Sequence, residues 1–105
     1  MDELDPLIHA QARLRIMSTL AAIDADSSMS FPRLQEMLDM TAGNLSTHLR
    51  KLEDGDYVLV TKTHRGRTPV TYLELTTVGR RAFEDYMTGL RAMLGGASGT
   101  GTKTP

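Results

Sequence analysis

The 105-residue chain is predicted to be a small α+β domain, mainly helical with one β-hairpin. Three observations predict this class. Apolar residues recur at helical spacing in the first half, most clearly Leu45, Leu49 and Leu52 at i, i+4 and i+7. Residues 58–75 then become rich in β-branched side chains around the turn-forming segment His64-Arg-Gly-Arg-Thr-Pro69. Helical spacing returns at Phe83, Met87, Leu90 and Leu94.

Composition bounds what such a chain can be. Hydrophobic residues make up 40% and aromatics only 5%, with no Trp, so one modest core of Leu, Ile, Val and Met is expected. The absence of cysteine excludes a disulfide scaffold, a thiol nucleophile and a cysteine-based metal-sensing site. The N-terminus lacks a basic segment followed by an apolar run, and no apolar stretch approaches the ~20 residues of a membrane span. A cytoplasmic location without a membrane partner is therefore the expectation.

The first helix is expected over Leu7–Ile23, opened by Asp5-Pro6 because proline suits the first helical position. Its apolar residues form two stripes, one of Ala12, Ile16, Leu20 and Ile23, the other of Leu7, Ala10, Leu14, Met17 and Ala21. A helix apolar on two sides must be covered on two sides, so one stripe is expected to meet a second copy of the chain. A polar turn, Asp24–Ser30, leads to a second helix from Phe31-Pro32 to about Leu38, with Leu34 and Leu38 inward. Asp39-Met40 connects it tightly to a third helix capped by Thr41 and ended at Asp54-Gly55. Two short helices joined by so short a turn make a helix-turn-helix.

Two strands follow, starting at Tyr57-Val58 and through Val70, Tyr72, Leu73 and Leu75, before Thr76 caps the last helix. Phe83, Met87, Leu90 and Leu94 line one face of that helix, flanked by Tyr86 and Met93. With Leu4, Leu7, Leu14 and Met17 they form the expected dimer surface. The ordered domain is drawn over 1–94, and the Gly-, Ser- and Thr-rich residues 95–105 are read as a flexible tail.

The third helix carries the chemistry. With its leucines inward, the opposite face presents Gly43, Thr47, Arg50 and Lys51, with Asn44 and Ser46 at its margins; the capping Thr41 and His48 complete the candidate set. Small, polar and cationic side chains of this kind can enter a DNA major groove and reach base edges and phosphates. Asn44, Ser46, Thr47 and His48 are the candidate base or near-phosphate contacts; Arg50 and Lys51 fit phosphate contacts that fix register. At the hairpin, Lys62, His64, Arg65, Arg67 and Thr68 are candidates for the backbone or a narrow minor groove. The net charge of -1 hides an uneven distribution. Residues 1–40 hold three Lys/Arg against seven Asp/Glu, whereas residues 41–81 hold seven against four. The cationic surplus thus coincides with the proposed reading elements.

The order helix, helix-turn-helix, hairpin with an arginine-bearing loop, helix resembles the winged helix-turn-helix transcriptional regulators. The chain looks closest to the MarR/ArsR-like group, in particular its short stand-alone winged-helix DNA-binding domains. The resemblance is carried by Asp5-Pro-Leu-Ile-His-Ala10, Arg13-Leu-Arg-Ile-Met17, Phe31-Pro-Arg-Leu34, Asn44–Glu53, Arg65-Gly-Arg-Thr-Pro69 and Leu75-Thr-Thr-Val-Gly79. It implies a mainly α domain with a small β-hairpin wing that binds double-stranded DNA as a homodimer, usually in repression at a pseudo-palindromic operator. The cysteine motif of many ArsR-type proteins is absent, and the chain is shorter than a typical MarR protein. No residue pattern names a small-molecule effector.

Other chemistries find less support. His9, His48 and His64 share no metal-ligand spacing, so neither a metal nor another cofactor is expected. Glu53, Asp54 and Asp56 sit at a helix end, and no nucleophile–base arrangement is visible, so the chain is not expected to be an enzyme. Met17, Met87 and Met93 could line an adaptable pocket at a dimer seam, but methionine more simply fills gaps in a core. The competing class is a winged-helix protein–protein module that does not read DNA, compatible with the acidic first forty residues.

Overall fold

The computed structural model describes residues 4–103. The elements run α1 (Gln11–Ala21), β1 (Met29–Ser30), α2 (Phe31–Leu38), α3 (Ala42–Asp54), β2 (Val58–Arg65), β3 (Thr68–Leu75) and α4 (Thr77–Lys103). Both helices of the helix-turn-helix begin on a side-chain cap. Ser30 Oγ accepts the Arg33 N–H and Thr41 Oγ1 accepts the Asn44 N–H, so each satisfies a backbone donor that the first turn leaves open. Between them Asp39, at φ 53°, reverses the chain in the left-handed region, which a short polar side chain tolerates.

The sheet has three antiparallel strands in the order β1-β3-β2, not the two expected. Met29 and Ser30 pair with Leu73 and Tyr72, and a strand of two residues is too short to leave a periodic signal. The hairpin is also tighter than expected. Val58 pairs with Leu75 and Arg65 with Thr68, leaving Gly66-Arg67 as a two-residue turn. Gly66 has φ 67° at the first turn position, where that sign needs glycine and suits the strand twist. His64, Arg65, Thr68 and Pro69 therefore belong to strands.

The first helix starts later than its apolar pattern suggested. Asp5 Oδ1 accepts the Leu7 N–H and the Asp5 carbonyl accepts those of Ile8 and His9, so residues 5–10 form a side-chain-stabilised turn ahead of Gln11. Ile8 from this turn joins Ile16, Met17 and Leu20 of α1 in the core. Leu34, Leu38, Leu45, Leu49, Leu52, Val58, Leu73, Leu75 and Tyr86 complete that core. Helix α1 packs on α2, α3, α4 and β3, so both of its apolar stripes find cover within one chain.

That packing reassigns two of the residues expected at a dimer surface. Met17 is 0% and Tyr86 4% exposed, both enclosed by their own chain. Leu4, Leu7, Leu14, Phe83, Met87 and Leu90 pack partly buried against the core, while Met93 and Leu94 are 54% and 62% exposed. Met17, Met87 and Met93 thus occupy three different environments. Helix α4 spans Thr77–Lys103. The side chains of 96–103 and the last two residues, where the flexible tail was expected, lie outside the described residues. No helix among the described residues is long and apolar enough to cross a membrane.

Gly79 locks α4 against Tyr57, the residue that precedes β2. A Cβ there would fall 2.8 Å from the carbonyl carbon of Tyr57 and 2.9 Å from its Cα, and closer still to its oxygen. Gly55 has a side chain, not backbone, as its nearest neighbour. Its φ of -84° needs no glycine, but a Cβ would run into Cδ2 of Leu7; the left-handed residue that ends α3 is Asp56, at φ 68°.

Candidate nucleic-acid interface

Helix α3 is anchored by Leu45, Leu49 and Leu52, which are 0%, 4% and 0% exposed. With that face sealed, Thr41, Gly43, Asn44, Ser46, Thr47, Arg50 and Lys51 all stand exposed. The cap uses Thr41 Oγ1, and Thr47 Oγ1 donates to the Gly43 carbonyl at 3.0 Å. Thr47 therefore offers outward its methyl group and acceptor lone pairs, the apolar part suiting a thymine methyl. Gly43 has nothing within 4 Å of where a Cβ would be, so its surface is open to a close backbone approach.

His48 is placed differently from the rest of the expected reading face. It is half-buried, turned toward α1, with Nδ1 3.2 Å from Arg13 Nη1. Burial, then the positive charges of Arg13 and Lys51, lower its pKa below the usual histidine value. His48 is held as a neutral ring at the margin of the surface.

The strand alternation of the wing separates its cations. Lys62, paired with Thr71, shares a face with Val60 and Leu73. It joins Ser46, Leu49 and Arg50 in lining a cleft of about 800 Å³ between α3 and the sheet, which Glu53 and Asp54 also line. Arg65 points to the other face, where Nη2 donates to Tyr72 Oη at 3.2 Å. There it borders a groove of about 740 Å³ shared with Arg33, Phe31 and Met29. His64, Arg67 and Thr68 are exposed at or beside the turn. The structure thus brings Arg50 and Lys62 together and sets Arg65 apart from them.

Of three arginines that the charge distribution assigned to an acidic first segment, two lie beside the helix-turn-helix and one within it. Arg13 reaches α3 through His48, and Arg15 Nη2 donates to the Leu38 carbonyl at 2.7 Å, at the end of α2. Arg33, on the first turn of α2, sits 3.7 Å from Glu36. The contacts of Arg13 and Arg15 span more than twenty residues of sequence, so no local spacing reports them. No cluster of metal-ligating side chains occurs among the described residues.

Residues 12–94 match the family model of the winged helix DNA-binding domain. The chain belongs to that family. Over 82 residues this winged-helix chain is 33% identical to an uncharacterized protein of Methanocaldococcus jannaschii, covering 77% of the present chain and 85% of that one. Among solved structures it is similar to the transcriptional regulator homologue protein of Pyrococcus horikoshii OT3, with a TM-score of 0.79 and 31% identity over 87% of each chain. It shares its fold with a mutant of MepR from a multidrug-resistant S. aureus clinical isolate, at a TM-score of 0.70 and 16% identity, covering 90% of this chain and 66% of that one. The chain is therefore a winged helix DNA-binding domain, and its fold is one that transcriptional regulators also use.

Proposed function

We propose that this winged-helix protein is a sequence-specific transcriptional repressor that binds a pseudo-palindromic operator as a homodimer. The observation that carries the reading is α3: three buried leucines aim an exposed flank of Gly43, Asn44, Ser46, Thr47, Arg50 and Lys51 away from the core. That flank reads bases and phosphates in the major groove, while Arg65 and Arg67 on the wing touch the backbone or the adjacent minor groove. Met93 and Leu94, exposed on α4 beyond the half-buried Phe83, Met87 and Leu90, supply the apolar surface for a second copy. Twofold symmetry then sets two α3 helices in successive major grooves, about 34–36 Å apart. Occupying a promoter, the dimer excludes polymerase.

Selection of bound sites from random duplex DNA, followed by fluorescence anisotropy on the recovered site, tests the reading. A recovered inverted repeat with half-sites one helical turn apart is the expected result. Failure to retain any duplex at low salt would favour a protein–protein module instead. Light scattering at micromolar concentration checks the dimer separately, and a monomer there would remove the homodimer.

A further inference from the structure

We propose that Arg13 is a positioning residue for DNA recognition: it holds His48 in the Nε2–H form, so that α3 presents a fixed hydrogen-bond donor to an acceptor on the duplex. The proposal rests on the DNA-binding reading above and adds to it a residue from outside the helix-turn-helix.

The geometry permits one proton arrangement. A guanidinium has donors only and stays protonated, so its Nη1, 3.2 Å from His48 Nδ1, must donate, and Nδ1 must accept. A neutral imidazole whose Nδ1 accepts carries its proton on Nε2, on the other edge of the ring. An imidazolium would set N–H against N–H and cation against cation.

Arg13 is itself restrained, because its Nε donates to the Leu7 carbonyl at 2.6 Å. Leu7 in turn packs where Gly55 leaves room beside the end of α3. The guanidinium is therefore tied to the turn preceding α1 at one nitrogen and to α3 at another. The charged groups acting on His48 are Arg13 from α1 and Lys51 from its own helix, both cationic, and both oppose protonation.

The position of His48 on the helix gives this ring its use. Asn44, His48 and Lys51 lie at i, i+4 and i+7, in one row along α3, and the first and last of them are exposed on the reading face. A donor in that row can meet a phosphate oxygen or a base acceptor such as guanine N7 or O6. An unrestrained histidine would divide among two tautomers and an imidazolium; the Arg13 contact leaves one.

Ring-nitrogen chemical shifts of the full chain, labelled with 15N-histidine, test the arrangement without DNA. At neutral pH His48 is expected to show the Nε2–H pattern. In Arg13→Met, which keeps the apolar stem and removes every donor, it is expected to show mixed tautomers and a higher titration midpoint. In anisotropy titrations Arg13→Met is expected to weaken duplex binding about five- to tenfold, of the order of one ordinary hydrogen bond lost. That loss should vanish in a His48→Ala background, since a residue acting through another has no effect without it. A uniform loss across sequences identifies a phosphate as the acceptor, and a loss confined to the selected site identifies a base.

An Nδ1–H or imidazolium pattern in the wild-type chain would overturn the proposal, even if Arg13→Met fails to fold. Equal losses from Arg13→Met with and without His48 would do the same, leaving DNA binding itself intact. Wild-type chain that retains no duplex would remove both readings, whatever the tautomer.

Discussion

Replacing Gly79 with alanine tests how α4 is joined to the rest of the fold. The added methyl would lie 2.8 Å and 2.9 Å from two backbone carbons of Tyr57 and nearer still to its carbonyl oxygen. Ordinary contact needs about 3.5–4 Å, so the helix or the Tyr57 backbone must give by several tenths of an ångström or more. Neither is free to move. The Tyr57 carbonyl accepts the Thr76 N–H at 3.0 Å, and the Gly79 N–H donates to Thr76 Oγ1 at 2.8 Å. Overpacking of this kind costs about 1–3 kcal/mol, and a strained hydrogen bond about 1 kcal/mol more. The better helix propensity of alanine returns roughly 0.5–1 kcal/mol, leaving a net loss of about 2 kcal/mol. For a domain of this size that lowers the melting temperature by roughly 10 °C, measurable by circular dichroism. Gly43→Ala supplies the control. Nothing lies within 4 Å of its Cβ position, so it should gain up to about 1 kcal/mol of stability from propensity alone. If Gly79→Ala melts within 2 °C of the wild type, roughly a fifth of the predicted shift, the close approach of α4 to Tyr57 is not what joins them.

Replacing both Arg65 and Arg67 with alanine should weaken binding to every duplex and flatten the dependence of log affinity on log salt by about 1–2, as fewer counterions are released. An unchanged slope would take the wing off the DNA. Asn44→Ala should instead change which site is selected from random DNA, with about 1–3 kcal/mol lost on the original site, and an identical selected sequence would exclude a reading role. Gly43→Ala should weaken the operator complex while raising stability; tighter or equal binding would show that no DNA atom approaches there. The Tyr57 hydroxyl donates to Asp5 Oδ2, and chiefly through that bond its pKa is pushed up to about 12. Because the folded value exceeds the ordinary value near 10, folding favours the protonated phenol, and this contribution is complete below pH 10 and lost as pH rises toward 12. Urea titrations across that window should show a steeper fall for the wild type than for Tyr57→Phe; parallel curves would remove the Asp5 bond.

Much of this fold follows local chemistry that a sequence displays. Helix α3 is legible because its cap, its leucine spacing and its terminal Asp54-Gly55 agree, and α2 because Ser30-Phe31-Pro32 opens it cleanly. What local pattern misses has a physical cause in each case. Asp5 competes with the first helix by bonding the Leu7 amide, a choice that apolar spacing does not report. Strand β1 exists only because Leu73 and Tyr72 of β3 offer it partners. The two stripes of α1 read alone as needing a second copy, yet Ile16, Met17 and Leu20 are buried within their own chain and Leu7, Leu14 and Ala21 partly so. In the site, exposure of Asn44, Thr47, Arg50 and Lys51 follows from the leucines opposite them. The contact of the His48 Nδ1 edge is with Arg13, thirty-five residues away in sequence.

Residues 4–10 act as a brace. Asp5 is bonded to Tyr57 and Leu7 fills the space beside Gly55, both at the exit of α3; His9 Nδ1 lies 2.8 Å from Tyr86 Oη on α4, and Leu4 borders Gly89. One short stretch thereby ties the base of the reading helix to the helix that would join two copies. In such a pair the gap between the two reading helices would be set by a strut and not by a hinge, and half-site spacing would be tolerated narrowly. Glycines inserted after Pro6 would slacken the strut, and operators one base pair too long or too short would begin to compete.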